Sequence, residues 1–200
     1  MNETQYPRLR KKYGKYASWA IWNHEDEADP TIIESHIEEL NVNHVFIAYN
    51  WSRKQGYFRD GPWANFRGGG SHARKLKYAC NDTELRGSYI TDLFKGITEP
   101  VAAKVRDYLT PERIDKNVSY FLEEMLDIGT TNKTAYIVLG VEAKKQFEKH
   151  FFNKMGVVDI KYYTHYSNYR LTDEKWVTGL WEELRIEANY DYETIRQKYK

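Results

Sequence analysis

His44-Val45-Phe46-Ile47-Ala48-Tyr49 runs straight into Asn50-Trp51-Ser52-Arg53, and two further apolar runs end the same way. Gly87-Ser88-Tyr89-Ile90 leads into Thr91-Asp92, and Val157-Val158-Asp159-Ile160-Lys161-Tyr162-Tyr163 leads into Thr164-His165-Tyr166-Ser167. Stretches of helical period separate them, so the runs read as parallel strands joined by crossover helices. In an open parallel sheet, ligands bind in the crevice beyond the carboxyl ends of the strands. That rule puts Asn50, Asp92 and His165 on one rim. The expected fold is α/β in three layers, α/β/α, around a mainly parallel sheet of about four strands.

The rest of the chain fills in around these runs. Residues 16–22 alternate weakly and read as an edge strand or an irregular cover. Asp29-Pro30 starts a helix, with Asp as N-cap and Pro at the first position, and Ile33, Ile37 and Leu40 form its stripe. Ser71 caps a helix that reaches about Cys80. Thr110-Pro111 begins another, with Ile114, Val118, Phe121, Leu122 and Met125 on one face. Residues 135–140 form a short buried strand, followed by a helix bearing Ala143, Phe147 and Phe151. Thr172 caps a final helix with Trp176, Leu180 and Leu184, and the charged tail from Tyr190 reads as its extension.

The 200 residues, 41% hydrophobic and 30% charged, fit one α/β domain spanning 1–200, with residues 1–14 as a basic tail. No apolar run approaches the roughly 20 residues of a membrane span, and the polar start carries no secretory h-region. A lone cysteine, Cys80, excludes an intramolecular disulfide and a multi-thiolate zinc or iron–sulfur site, and fits a cytoplasmic protein. The scattered histidines lack metal-pair spacing, so neither a metal nor a cofactor is expected. The net charge of +1 conceals a basic stretch: Arg53, Lys54, Arg59, Arg67, Arg74, Lys75 and Lys77 are opposed only by Asp60. This reads as a local anion site or as a solvated loop.

Residues 50–70 form a long loop without sustained period, rich in glycine and aromatic side chains. Loops of this length in a compact domain are functional or disordered, and the aromatics argue against disorder. Trp63 and Phe66 can stack on a flat base or anchor the loop to the body. Gly68-Gly69-Gly70-Ser71, with Arg74 and Lys75 following, reads as an anion cradle or a hinge; it lacks the P-loop ending. Asn50 can hold a water or a base edge, or simply form a turn. His165 can donate to charge developing on a leaving group, or cap its strand. Asp92 can orient a substrate, or cap the turn after it.

On these residues the chain resembles the uracil-DNA glycosylase superfamily, in a divergent and uncharacterised branch, over about residues 44–170. Ile47-Ala48-Tyr49-Asn50 resembles the first motif, whose Asn or Asp positions the attacking water. Pro62-Trp63 looks like the Pro-aromatic pair that stacks on the base. Residues 73–76, 87–95 and 136–140 look like the next landmarks, and His165-Tyr166-Ser167 like the closing His-Pro-Ser. Trp51 and Tyr166 replace prolines of the motifs. Thr91-Asp92 stands where a carboxamide reads the uracil edge; an ionised carboxylate cannot donate to a uracil carbonyl.

The resemblance implies a uracil-DNA glycosylase-like fold and a DNA-repair hydrolase. Its reaction is cleavage of the N-glycosidic bond of a uracil-like or deaminated base. Asn50 and His165 are the expected catalytic residues, and Trp63, Phe66, Asp92 and Ser167 the substrate contacts. Ser52, Arg53, Arg67, Arg74 and Lys75 are the expected phosphate contacts, and the expected partner is DNA, single-stranded or with a flipped base, or a nucleotide. The alternatives are a non-catalytic nucleotide or nucleic-acid binder on the same fold, and a hydrolase of free nucleosides or modified nucleotides.

Overall fold

A computed structural model describes residue 1 and residues 4–51, 61–67, 73–156 and 158–199. Among these, β1 (Ser18–Trp19), β2 (Asn41–Asn50), β3 (Ser88–Phe94), β4 (Ala135–Leu139) and β5 (Asp159–Tyr163) make one sheet in the order β1-β3-β2-β4-β5. The last four strands are mutually parallel, and only the two-residue β1 runs antiparallel, against β3. The parallel strands match the sequence reading, and β1 is the short edge segment expected within residues 16–22.

The chain leaves β2 for β3 in one direction and returns past β2 to β4 in the other. Crossovers keep one hand, so connections running in opposite directions lie on opposite faces. The sheet is accordingly sandwiched. α2 (Ala73–Cys80), α6 (Asp173–Leu184) and α7 (Tyr192–Lys198) cover one face, and α1 (Gln5–Tyr13), α4 (Pro111–Ile128) and α5 (Val141–Gln146) cover the other. A single turn, α3 (Ala102–Val105), lies on the path from β3 to α4. The strand side chains alternate as the pleat requires. Val45, Ile47, Tyr136 and Val138 join the core under α4, while Phe46, Ala48, Ile137 and Leu139 join the core under α2 and α6. β2 and β4, where the connections diverge, flank the switch point at which such sheets bind ligands.

Four local readings change. The basic residues 1–14 supply α1, whose Tyr6, Leu9 and Tyr13 are buried at spacings that share a helix face. The helix after Pro30 is a 3-10 stretch, Thr31–Glu39, interrupted at His36. The tail from Tyr190 does not extend α6: Arg185 closes that helix in a left-handed conformation, and Asp191 caps the separate α7. β3 runs on to Phe94, so Asp92 lies inside the strand, paired with Ala48, and not at its end. Thr110 and Thr172 do cap their helices, each hydroxyl accepting a backbone N–H three residues on.

Under α4 the core contains charge. Glu124 is wholly buried; its carboxylate accepts Tyr89 Oη and Thr91 Oγ1, both at 2.9 Å, and pairs with the nearly buried Lys95 Nζ. Breaking one partner of such a pair leaves an uncompensated buried charge. Glu124→Ala should therefore lower the unfolding free energy by roughly 3–5 kcal/mol in urea denaturation. The double variant Glu124→Leu with Lys95→Met should regain most of that loss.

Candidate functional site

The switch-point rim is formed by the ends of β2, β3, β4 and β5. Asn50 closes β2 opposite Phe94, and its Nδ2 donates to Ile97 O (3.1 Å) and Glu99 O (2.9 Å). With both amide hydrogens committed to the chain beyond β3, the carboxamide plane is fixed and its carbonyl oxygen is the group left to accept.

Beyond β5, His165 stacks on Tyr166 with ring centroids 4.2 Å apart. Its Nδ1 accepts the Ser167 N–H at 3.2 Å and lies 2.7 Å from Ser167 Oγ. A nitrogen that accepts carries no proton, so these bonds assign the neutral ring to the tautomer protonated on Nε2. Gly140, at the end of β4, lies directly beneath: a Cβ there would come within 3.1 Å of His165 Cβ, and its φ of +96° suits glycine in any case. His165, Ser167, Gly140, Lys144 and Tyr162 line an open cleft of about 460 Å³. Lys144 Nζ sits 4.6 Å from the Tyr162 ring centre.

Asp92 lies one rung below the rim, on the α2/α6 face of β3, and is 1% exposed. Asn65 Nδ2 donates to its Oδ2 at 2.9 Å and also to Tyr16 O at 2.6 Å. Oδ1 has no hydrogen-bond partner among the described residues. Burial pushes this carboxyl up to about 7, although the Asn65 bond and the charge of Lys95 pull the other way. Phe66 follows Asn65 and meets Tyr166 edge-on at 6.4 Å. The Tyr166 hydroxyl end is buried, which raises its pKa, and the charge of Asp92 raises it further. Phe66, Asp92, His165, Tyr166 and Ser167 thus form one connected group, with Asn50 on the same rim.

The other expected ligand contacts have structural roles. Trp63 is 1% exposed, packed against Trp19, Tyr89 and Tyr6, with its indole N–H on Tyr6 Oη at 3.1 Å. It is the loop's anchor and offers no face to a base. Arg67 is fully buried, and its guanidinium donates to Ser18 Oγ and to the carbonyls of Trp19, Ile21 and Asp29. Burial lowers its pKa to about 9, so it stays charged at neutral pH, but its donors are committed within the fold. Lys75 is buried and donates to Asn168 O and Leu171 O, each at 2.8 Å. It fastens the His165 loop to α2. Arg74 pairs with Asp173 at 2.7 Å, joining α2 to α6. Arg67 and Lys75 are therefore not available to a phosphate, whereas Arg74 is two-fifths exposed and engages Asp173 through Nε. Ser52, Arg53 and the Gly68–Ser71 cradle lie outside the described residues.

Asn65 went unnoticed in the sequence, because nothing local to it points 27 residues ahead to Asp92. The nearest signal is positional: it lies two residues from the strand-interacting Arg67 and between two aromatics. Trp63 and Phe66 both adopt positive φ, +65° and +62°, a strained conformation for bulky residues that tends to mark functional segments. Comparison with protein-family models and with curated proteins finds no match to this chain.

The Asp92 carboxyl carries a stability prediction. Its folded-state pKa is raised, so the folded protein holds a proton between about pH 4 and pH 7 that the unfolded chain releases. That contribution is complete below the unfolded value and lost as the pH rises through 7. Asp92→Asn should accordingly be more stable than the parent at pH 8 by on the order of 1–4 kcal/mol. The difference should close below pH 4 in parallel denaturation curves; a difference that does not change with pH would contradict the assignment.

Proposed function

We propose that this protein is an N-glycosidic hydrolase acting on a uracil-like or deaminated base, with a sheet arranged as in the uracil-DNA glycosylases and a nucleotide or single-stranded DNA as substrate. The observation that carries the reading is the opposed polarity of two rim groups. Asn50 is held with an acceptor to offer, and His165 is held in the tautomer whose Nε2 donates. Hydrolysis of an N-glycosidic bond requires both: an acceptor to orient water at the anomeric carbon, and a donor for charge collecting on the base.

In this reading the nucleotide swings out of its stack, and the partly exposed ring of Tyr166, backed by the buried Phe66, stands beside the base. Asn50 accepts a hydrogen from water and aims its oxygen at the sugar. The bond between that carbon and the base nitrogen breaks, its electron pair leaves with the base, and the sugar passes through an oxocarbenium-like state. His165 Nε2–H donates to the base oxygen on which negative charge develops, a preorganised contribution that requires no movement. The water's oxygen becomes the new sugar hydroxyl, and its proton leaves to solvent or to the departing base.

A second reading, hydrolysis of a free nucleoside or mononucleotide, is favoured by the internal commitment of Arg67 and Lys75. A long strand needs cationic contacts along its backbone, whereas a single nucleotide needs few.

The test uses end-labelled oligonucleotides bearing uracil, hypoxanthine or xanthine, followed by hot alkali to cut abasic sites. The same bases are supplied in parallel as mononucleotides, with chromatography of the released base. His165→Ala and Asn50→Ala should each slow release by about 10²–10³-fold with little change in binding. Full rates in both variants would overturn the site, and binding without release would make the protein a non-catalytic binder.

A further inference from the structure

Ser167 and His165 form a hydrogen-bonded pair that the base-excision reading leaves unused. Ser167 Oγ lies 2.7 Å from His165 Nδ1, the ring nitrogen that accepts the Ser167 N–H and so carries no proton. A hydroxyl within hydrogen-bond reach of an unprotonated imidazole nitrogen, on a ring that is itself held in place, is the arrangement that activates a serine as a nucleophile. Two neighbours hold this ring. It stacks on Tyr166, with centroids 4.2 Å apart, and its Cβ end rests over Gly140. The loop that carries both residues is fixed as well. The Asn168 N–H closes a turn on His165 O at 3.0 Å, and the buried Lys75 holds the carbonyls of Asn168 and Leu171.

The pair is open to a ligand. Ser167 is exposed, and with His165 it lines the cleft of about 460 Å³ beside the start of α5, a volume within the roughly 300–1,000 Å³ of small-molecule sites. Val141 gives this cleft an exposed apolar wall, and Lys144 gives it a cation. Lys144 Nζ rests over the Tyr162 ring, and its acid partner Glu148 stands 3.9 Å away, long for an ion pair.

We propose that Ser167 and His165 are a nucleophile–base pair and give the protein a second activity, the hydrolysis of small carboxylic esters in this cleft. The activity uses Nδ1, whereas base excision uses Nε2, so neither depends on the other. Ser167 Oγ bonds to the carbonyl carbon of the ester while its proton passes to Nδ1. The carbonyl π pair moves onto oxygen, and the Lys144 ammonium is the counter-charge that the cleft offers it. The imidazolium formed lies against the Tyr166 ring, whose face attracts a cation. The tetrahedral centre then collapses, the ester C–O bond breaks, and the leaving alkoxide takes the proton from Nδ1. Water attacks the acyl-Ser167 with Nδ1 as base, which releases the carboxylic acid and restores the hydroxyl.

The experiment treats the protein with a biotinylated alkyl fluorophosphonate, which phosphonylates activated serines with loss of fluoride, and locates the adduct by peptide mass spectrometry. In parallel, p-nitrophenyl acetate is followed for a pre-steady-state burst of nitrophenol. The adduct should fall on Ser167, and the burst should leave an acetyl group on the same residue. His165→Ala should slow labelling of Ser167 by about a hundredfold or more. Ser167→Ala should abolish the burst, and Ser167→Cys should restore it through a thioester. An unlabelled Ser167 in the parent protein overturns the inference without recourse to any variant. So does labelling of Ser167 at an equal rate in His165→Ala. Nitrophenol release that persists undiminished in Ser167→Ala also overturns it, because the imidazole would then be attacking the ester by itself.

Discussion

β2 is paired in parallel on both sides, with β3 and with β4, and this constraint organises everything else. Parallel neighbours cannot be joined by a tight turn; each needs a crossover long enough to return the chain to the same end of the sheet. The crossovers become α2, α4 and α5, and they cover both faces. A sheet buried on both faces needs strands that are apolar on both sides, as in Val45 to Tyr49 and Tyr136 to Leu139. The same geometry brings every parallel strand to its carboxyl end along one rim. Chemistry spread over more than a hundred residues of sequence is gathered there by strand order alone.

The rim is shaped by fastenings that look like ligand groups in the sequence. Arg67 ties residues 61–67 to β1 and to the segment after it through three backbone carbonyls and a hydroxyl. Trp63, driven into the core between Trp19, Tyr6 and Tyr89, closes the same loop from beneath. Between these two fixed points stand Asn65 and Phe66, one on Asp92 and the other against Tyr166. Lys75 performs the equivalent service for the His165 loop. Burying such cations is costly unless their donors are filled, and here backbone carbonyls fill them.

Two buried carboxyls on opposite faces of β3 show how surroundings set chemical character. Glu124 has two hydroxyl donors and a lysine, and its hydrogen bonds are met within the core. Asp92 has one amide donor and aromatic neighbours, and is pushed towards its neutral acid. The first is a structural group and the second a candidate for recognition. The difference between them is the number of donors each receives, not the type of side chain.

Much of this was legible in the sequence. Apolar runs of strand length separated by helical periods required a parallel three-layer sheet, and Asn50 and His165 followed from where those runs stop. Asp92 reads as a rim group in the sequence, but the strand continues past it to Phe94 and leaves it one rung below the rim. Local patterns carry such information because strand pleat and helix pitch are short-range properties. What only the tertiary structure decided was the fate of each polar residue: Arg67 and Lys75 as internal fastenings, Arg74 as a surface pair with Asp173, Trp63 as core, residues 5–13 as a packed helix, Asn65 as the partner of Asp92. A cation or an indole is written identically whether it meets a ligand or a backbone carbonyl. Its role is fixed only when chain segments distant in sequence converge on it and either satisfy its hydrogen bonds or leave one of them open.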